Sequence, residues 1–187
     1  MKKAFPVLLV FIGLAFFVGG GYTVARGFGA RDLVKTELEA QKIVTPADAS
    51  IPNATVNDVA TANSMAAIID THANKATGGL TYSEMGKFAT PDGAPAGTND
   101  ATAAAKGADG KPVANAARNT AFQASALRTS LYSSAMAFEI STLVIGIGVM
   151  LAALGFAVGG TGVAFAGLSI PAVSRRVHVP AVAAVPA

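Results

Sequence analysis

The chain has 187 residues, of which 52% are hydrophobic and only 13% are charged. Globular domains carry about a quarter charged residues, so the composition argues against an ordinary water-soluble domain. The absence of cysteine excludes disulfides, thiolate metal sites and cysteine nucleophiles. The formal net charge is +3, but the basic residues form no cluster interleaved with aromatic residues. No nucleic-acid-binding surface is therefore expected.

The first predicted element is an apolar segment of 22 residues, from Ala4 to Ala25, that lies between Lys3 and Arg26. At about 1.5 Å per residue, a helix of this length crosses the roughly 30 Å hydrocarbon core of a bilayer. A cleavable signal peptide is the competing interpretation, because the start is basic and small residues precede Arg26. We favour a retained span for residues 1–25, because the apolar stretch exceeds the roughly 7–15 residues of a signal core and a second candidate span follows.

Residues 26–134 are predicted to form an extracytoplasmic helical region. Good helix formers from Ala30 to Gln41 predict that the first helix continues outward and ends before Pro46. From Val56 to Ala76 apolar residues recur at intervals of three and four, which predicts a helix with one apolar face. This face is expected to pack against the helices that emerge from the membrane.

The chain after this helix is predicted from its turn signals. Gly78 is expected to end the helix, and Thr81 and Glu84 have the spacing of a capping box, which predicts a brief helix. Residues 90–112 combine proline, glycine and Asp-Gly turns with little apolar surface, so a flexible insert is expected there. Neither glycine nor proline occurs from Val113 to Ile145, so one helix can run from Pro112 into the second span.

The second apolar block has 34 residues, Ala135–Leu168, and is interrupted by a single charge, Glu139. A bilayer needs about 20 residues, so we expect Gly159 and Gly160 to end the helix and the span to cover residues 135–160. The predicted fold is therefore an all-α integral membrane protein whose two transmembrane helices extend into a small extracytoplasmic helical subdomain.

The charge distribution predicts the orientation of these spans. Ten basic and ten acidic residues balance within residues 26–134, whereas both tails are purely basic. Orientation follows Lys and Arg in short segments, so both termini are predicted to be cytoplasmic in a multi-pass plasma-membrane protein. Residues 161–187 then form an interfacial segment and a basic, Pro/Ala/Val-rich cytoplasmic tail. The predicted interface anchors are Tyr22, Tyr132, Arg175 and Arg176.

Glu139 and Tyr22 are the predicted intramembrane polar residues. If the span starts near Ser134, Glu139 lies about 8 Å inside the outer interface, where an unpaired carboxylate is costly and should face protein. Three interpretations stay open: a neutral carboxyl bonded to the Tyr22 hydroxyl or to backbone, a proton or cation site, and a contact with a partner subunit.

A stripe of small residues along one face of the second span predicts close helix packing, because association in lipid depends on close approach of backbones. The stripe can receive the first span, which is itself rich in glycine, or a partner subunit. The predicted helix-packing residues are Ala137, Ser141, Gly148, Ala152, Gly155 and Gly159.

Two stretches of the extracytoplasmic region carry a specific resemblance. Residues 76–82 read ATGGLTY and residues 118–131 read RNTAFQASALRTSL. Together with the apolar run that begins at Ser134, they resemble an actinobacterial family of two-span membrane proteins with an extracytoplasmic helical loop, often labelled "aromatic ring-opening dioxygenase". The resemblance covers most of residues 1–160 and implies an actinobacterial envelope protein; residues 90–112 depart from the family pattern.

The chemistry in that label can be tested against the residues. A non-haem iron oxygenase needs two histidines and a carboxylate on one metal ion, whereas His72 and His178 fall on opposite sides of the predicted membrane. We therefore predict no enzyme activity, no cofactor and no metal, and expect a solvated or helix-capping role for His72.

The predicted function is that of a non-catalytic structural or accessory subunit of a larger actinobacterial cell-envelope membrane complex, for example a respiratory complex. Its expected partners are the lipid bilayer and membrane-protein subunits, with no nucleic acid and no identified small-molecule substrate. The alternative is a membrane sensor or transport helper that uses Glu139 and the projecting helices.

Overall fold

The computed structural model describes residues 4–168, and the regular structure in this range is helical. Helix α1 covers Ala4–Ala40, α2 covers Val59–Thr77, a short 3₁₀ helix covers Tyr82–Glu84, and α3 covers Ala116–Leu168. Isolated β-bridges occur in the described range, but no strand does. The prediction of an all-α fold is confirmed for these residues. The predicted anchors Arg175 and Arg176, the basic tail and His178 lie outside them.

The described chain divides into two compact units. The first, here called the helix pair, contains residues 4–22 of α1 and 148–168 of α3. The second, here called the helical region, contains residues 23–147. It therefore includes segments of both apolar blocks that the sequence alone assigned to the spans.

Two helices, α1 and α3, are long and apolar enough to cross a membrane. Only 17% of the most apolar window of α1 and 11% of that of α3 is buried, whereas the core helix of a soluble protein is mostly buried. Large apolar side chains stand out from both helices, with Phe11 67% exposed and Phe156 75% exposed. The apolar residues of the helix pair therefore face the surroundings rather than a protein core.

Helix α3 does not end at Gly159 and Gly160, so that prediction is wrong; the span boundary at residue 160 stays a prediction. The helix continues to Leu168. The sequence stays apolar beyond the glycines, and a helix satisfies the backbone of an apolar segment without water. In addition, Gly162 packs against Pro6 and Val10 of α1, which holds this last part of the helix in place.

The core of the helical region is built from all three α-helices. Leu38 comes from α1, Ala62 and Ala66 come from α2, and Leu131 and Phe138 come from α3; all five side chains are buried. Alanines at the centre let the α2 backbone approach the two longer helices closely. The predicted apolar face of α2 is thus the face that packs, although Ala76 at its end is exposed.

The ends of α2 follow the sequence signals. Asp58 is the N-cap: its carboxylate accepts hydrogen bonds from the backbone N–H and the hydroxyl of Thr61. These bonds lower the pKa of Asp58 below its ordinary value. Gly78 ends the helix in the left-handed conformation with φ 64°, as predicted. Thr81 and Glu84 form the predicted capping box around the 3₁₀ helix.

Residues 90–112, where the sequence predicts a flexible insert, form a series of hydrogen-bonded turns. Phe88, just before this segment, forms one β-bridge to Thr98 inside it and another to Ala114 just after it. Backbone hydrogen bonds accompany these bridges. Asp100 accepts hydrogen bonds from the backbone N–H and the hydroxyl of Thr102, which closes a local turn. Gly97 has positive φ, so this glycine serves a defined turn. Order here comes from polar bonds, which a count of apolar surface does not detect.

Candidate functional site

In the helix pair, α1 and α3 pack through glycines at backbone contact distance. A Cβ added at Gly13 would lie 2.6 Å from the Gly155 carbonyl oxygen and 2.5 Å from Gly159 Cα. One added at Gly20 would lie 2.6 Å from the Gly148 carbonyl oxygen and would also collide with Ala152. Any side chain at these positions would push the helices apart. We call this contact the glycine seam.

The seam answers the question that the small-residue stripe left open. Gly148, Ala152, Gly155 and Gly159 face α1 of the same chain, so in the helix pair this stripe is occupied by the first helix. In the helical region, Ser141 lies against Gly27 of α1 and is only 4% exposed. Ala137 is half-buried and lines a groove described below.

The sequence carries a signal for the seam that composition alone does not show. On α1 the glycines in contact follow a spacing of seven, whereas the neighbouring Gly19 and Gly21 have open space at their Cβ positions. A seven-residue period keeps one seam facing the partner helix along its length. The residues that repeat at this spacing are Gly13, Gly20 and Gly27 on α1 and Ser141, Gly148, Gly155 and Gly162 on α3.

The side chain of Glu139 is exposed. No hydrogen bond or ion pair to its carboxylate occurs among the described residues, so the predicted bond to the Tyr22 hydroxyl or to backbone is not formed there. Its neighbour Phe138 is buried and has the Arg31 guanidinium 6.0 Å from its ring centre. Glu139 thus lies at the height of a charged residue of α1. The depth of Glu139 in a bilayer and its contact with a partner subunit stay predictions.

Both predicted tyrosine anchors are exposed. Tyr22 in the helix pair is 67% exposed and Tyr132 in the helical region is 44% exposed. The Arg128 guanidinium lies 6.0 Å from the Tyr132 ring centre. Since Leu131, next to Tyr132, is buried in the core with residues of α2, this tyrosine belongs to the packed helical region.

His72 lies on the exposed side of α2, and its Nε2 is 2.8 Å from Oδ2 of Asp48. This hydrogen bond lowers the pKa of Asp48 below its ordinary value. Asp70 turns away from the histidine and pairs with Arg128, with 2.5 Å between Oδ1 and Nη1. Within residues 4–168, no three His, Cys, Asp or Glu side chains come together as a metal site would require.

The two sequence stretches that carry the family resemblance meet in the helical region. The Arg118 guanidinium stacks on the Tyr82 ring at 3.8 Å from its centre, and the Tyr82 and Phe122 rings are 5.8 Å apart. Tyr82 and Phe122 are 42% and 58% exposed. We call Tyr82, Arg118 and Phe122 the aromatic patch. A depression of about 510 Å³ lies beside it and is also lined by Lys87.

The backbone around the aromatic patch is fixed by Asn115. This side chain is 5% exposed and caps α3, because its Oδ1 accepts from the N–H groups of Ala117 and Arg118. Its Nδ2 donates to the carbonyl oxygens of Gly86 and Pro95 at 3.1 and 2.9 Å. One buried side chain thus joins the start of α3 to two loop segments. The two bonds to the loop segments cannot be predicted from local sequence, because they join residues 20 and 29 positions apart.

Next to the patch, a cavity of about 390 Å³ with mixed polar and apolar lining lies between α2 and α3, and Tyr82 also lines it. The Asp70–Arg128 ion pair forms part of its wall. Thr77 also lines it, is 1% exposed, and has a hydroxyl without a hydrogen-bond partner in the described chain.

The helical region also contains an apolar groove of about 830 Å³. All three α-helices line it, and we call it the apolar groove. Its wall residues include Leu33 and Leu38 of α1, Met65 and Ile69 of α2, and Leu131 of α3. Sequence patterns predicted apolar faces on these helices but not the gap that remains where the faces meet.

Among known proteins, no family model, curated protein or solved structure matches this chain. The functional interpretation therefore depends on the geometry of these sites.

Proposed function

We propose that the chain is a two-span membrane protein that acts without catalysis, as a structural or accessory subunit of a larger cell-envelope complex. The two apolar helices anchor it in the bilayer, and the helical region presents a binding surface to a partner subunit. Support for the anchor is the exposure of large apolar side chains along both helices. The glycine seam supports a paired insertion, because it gives the two helices close contact without hydrophobic drive.

The observation that carries the subunit role is the aromatic patch. Interfaces concentrate their binding energy in Tyr, Trp and Arg side chains that are held rigidly before binding. Tyr82 belongs to the 3₁₀ helix that the capping box closes, and Arg118 is stacked on its ring. Phe122 adds exposed apolar area one helical turn after Arg118. An exposed patch of this composition is typical of a surface that binds another protein.

For the orientation, we propose cytoplasmic termini and an extracytoplasmic helical region. The charged residues of both tails are all basic, whereas acidic and basic residues balance from Arg26 to Ser134, and this distribution supports the orientation. The alternative role as a sensor or transport helper would need a site around Glu139. In the described chain this residue is exposed and lines none of the three cavities described above.

The proposal is tested by purification of the tagged chain in mild detergent, with mass spectrometry of the proteins that co-migrate. We expect a membrane protein in stoichiometric amount with the wild-type chain and its loss in the Tyr82→Ala, Phe122→Ala double variant. Tyr132→Ala is the matched control, because it removes another exposed tyrosine of the same region and should keep the partner. A lone wild-type monomer, or a partner that stays with the double variant, would contradict the proposal.

A further inference from the structure

The apolar groove is open to one side, and most of its lining surface is apolar. Leu33, Met65, Ile69, Leu127 and Leu131 contribute branched or flexible apolar groups from three helices. Its volume of about 830 Å³ falls in the range of roughly 300–1,000 Å³ that is typical of ligand pockets. A cavity of this size and lining favours an apolar occupant.

The serines in the groove wall do not change this character. Ser133 Oγ donates to the Thr129 carbonyl oxygen at 2.8 Å, and Ser134 Oγ donates to the Ser130 carbonyl oxygen at 3.1 Å. Their hydroxyl protons are therefore used within α3 and are not offered to a ligand. The other polar side chains that line the groove are Ser130 on α3 and Glu37 and Gln41 on α1.

One wall of the groove continues along α3 without a charge. Ala137 lines the groove, and Ile140, Val144 and Ile147 follow it at spacings of three and four, which places them on the same helix face. Ile140 is 54% exposed and Ile147 is 46% exposed. An apolar strip thus connects the groove with the apolar surface of the segment that we propose to enter the bilayer.

The dimensions favour a thin occupant over a helix. The groove extends along α3 from Leu127 to Ala137, about 15 Å at 1.5 Å per residue. A helix about 10 Å wide and equally long would fill about 1,200 Å³, more than the groove offers. A partner helix could therefore cover the opening but could not enter it.

We infer that the apolar groove binds the acyl chain of a membrane lipid, which reaches it along the Ala137–Ile147 strip of α3. The inference rests on the proposed function, because only an inserted protein has acyl chains beside this strip. The bound chain would fill the gap between α2 and the two long helices. The helical region would then include lipid as part of its apolar core.

The test uses the absence of cysteine, since a single introduced cysteine carries a unique fluorescent bimane label. Three full-length variants are placed in phosphatidylcholine vesicles with or without brominated acyl chains, which quench bimane on close contact. Ile69→Cys places the label in the groove wall on α2, and Ala67→Cys places it on the exposed side of the same helix. Leu14→Cys places it on the exposed surface of the helix pair.

We expect brominated lipid to quench the label at position 69 at least half as strongly as the label at position 14. The label at position 67 should be quenched little. Adding Ser130→Phe, which fills the groove from α3, should abolish the quenching at position 69, whereas Thr129→Phe, next to it but outside the groove wall, should not. Quenching at position 14 but not at position 69 would overturn the lipid site and leave the membrane anchor in place. Disulfide-linked dimers through position 69, or a co-purified protein that shields it, would overturn it in favour of a protein occupant. No quenching even at position 14 would overturn the anchor as well.

Discussion

The glycine seam predicts that two neighbouring glycines respond oppositely to alanine. At Gly20, the new Cβ would lie 2.6 Å from the Gly148 carbonyl oxygen, whereas ordinary contact begins at 3.4 Å. The helices must separate by about 1 Å, a gap that forfeits a quarter to a half of the local dispersion attraction. Overpacking of this kind costs about 1–3 kcal/mol. At Gly21 nothing lies within 4 Å, so alanine there should gain about 0.5–1 kcal/mol through helix propensity.

The assay is reversible unfolding in mixed micelles with increasing SDS, followed by energy transfer between dyes on Val7→Cys and Val163→Cys. Both positions are exposed and belong to the helix pair. Gly20→Ala should shift the loss of energy transfer to a lower SDS fraction, and Gly21→Ala should leave it unchanged or shift it upward. Equal midpoints for the two variants would refute the seam as the contact that pairs these helices.

Three further predictions concern the helical region and Glu139. Asn115→Ala should lower the free energy of unfolding of the helical region by about 2 kcal/mol or more, because a helix cap and two hydrogen bonds to loop carbonyls are lost. Thermal unfolding measures this change, and a change below about 0.5 kcal/mol would contradict the prediction. Asp58→Ala should cost about 0.5–2 kcal/mol at neutral pH. The folded-state pKa of Asp58 is lowered, so its contribution to stability is present above the ordinary pKa of 3.8 and is lost as the pH falls through the folded-state pKa. Plots of stability against pH for the wild type and the variant should therefore converge in acid. A difference in stability that persists in acid would contradict the lowered pKa. Glu139→Gln should leave co-purification of the partner unchanged, because the side chain is exposed and unpaired in the described chain; loss of the partner, or of a pH-dependent phenotype, would favour the sensor alternative.

Local signals in the sequence predicted the local features of the fold. The apolar blocks predicted both long helices, the three-and-four spacing predicted α2, and Gly78 and the Thr81–Glu84 pair predicted where the chain turns. Each of these features depends on bonds or spacing within a few residues, so it can be predicted from the local sequence.

Features that depend on distant contacts were missed or misjudged. The meaning of the seven-residue glycine period appears only when α1 and α3 lie side by side. The helix also continues past Gly159 and Gly160 to Leu168, and Gly162 in this last part packs against α1. Asn115 reaches across 20 and 29 residues, and the apolar groove exists only where three helices fail to fill their common space.

The central claim is that α1 and α3 are embedded in lipid, and alkaline carbonate extraction of membranes from cells that produce the chain tests it most directly. Carbonate releases peripheral and soluble proteins, whereas a protein whose helices expose Phe11 and Phe156 to acyl chains stays with the bilayer. We predict that the chain remains in the membrane pellet after carbonate and enters the supernatant only with detergent. Recovery of the full-length chain in the carbonate supernatant would contradict the account.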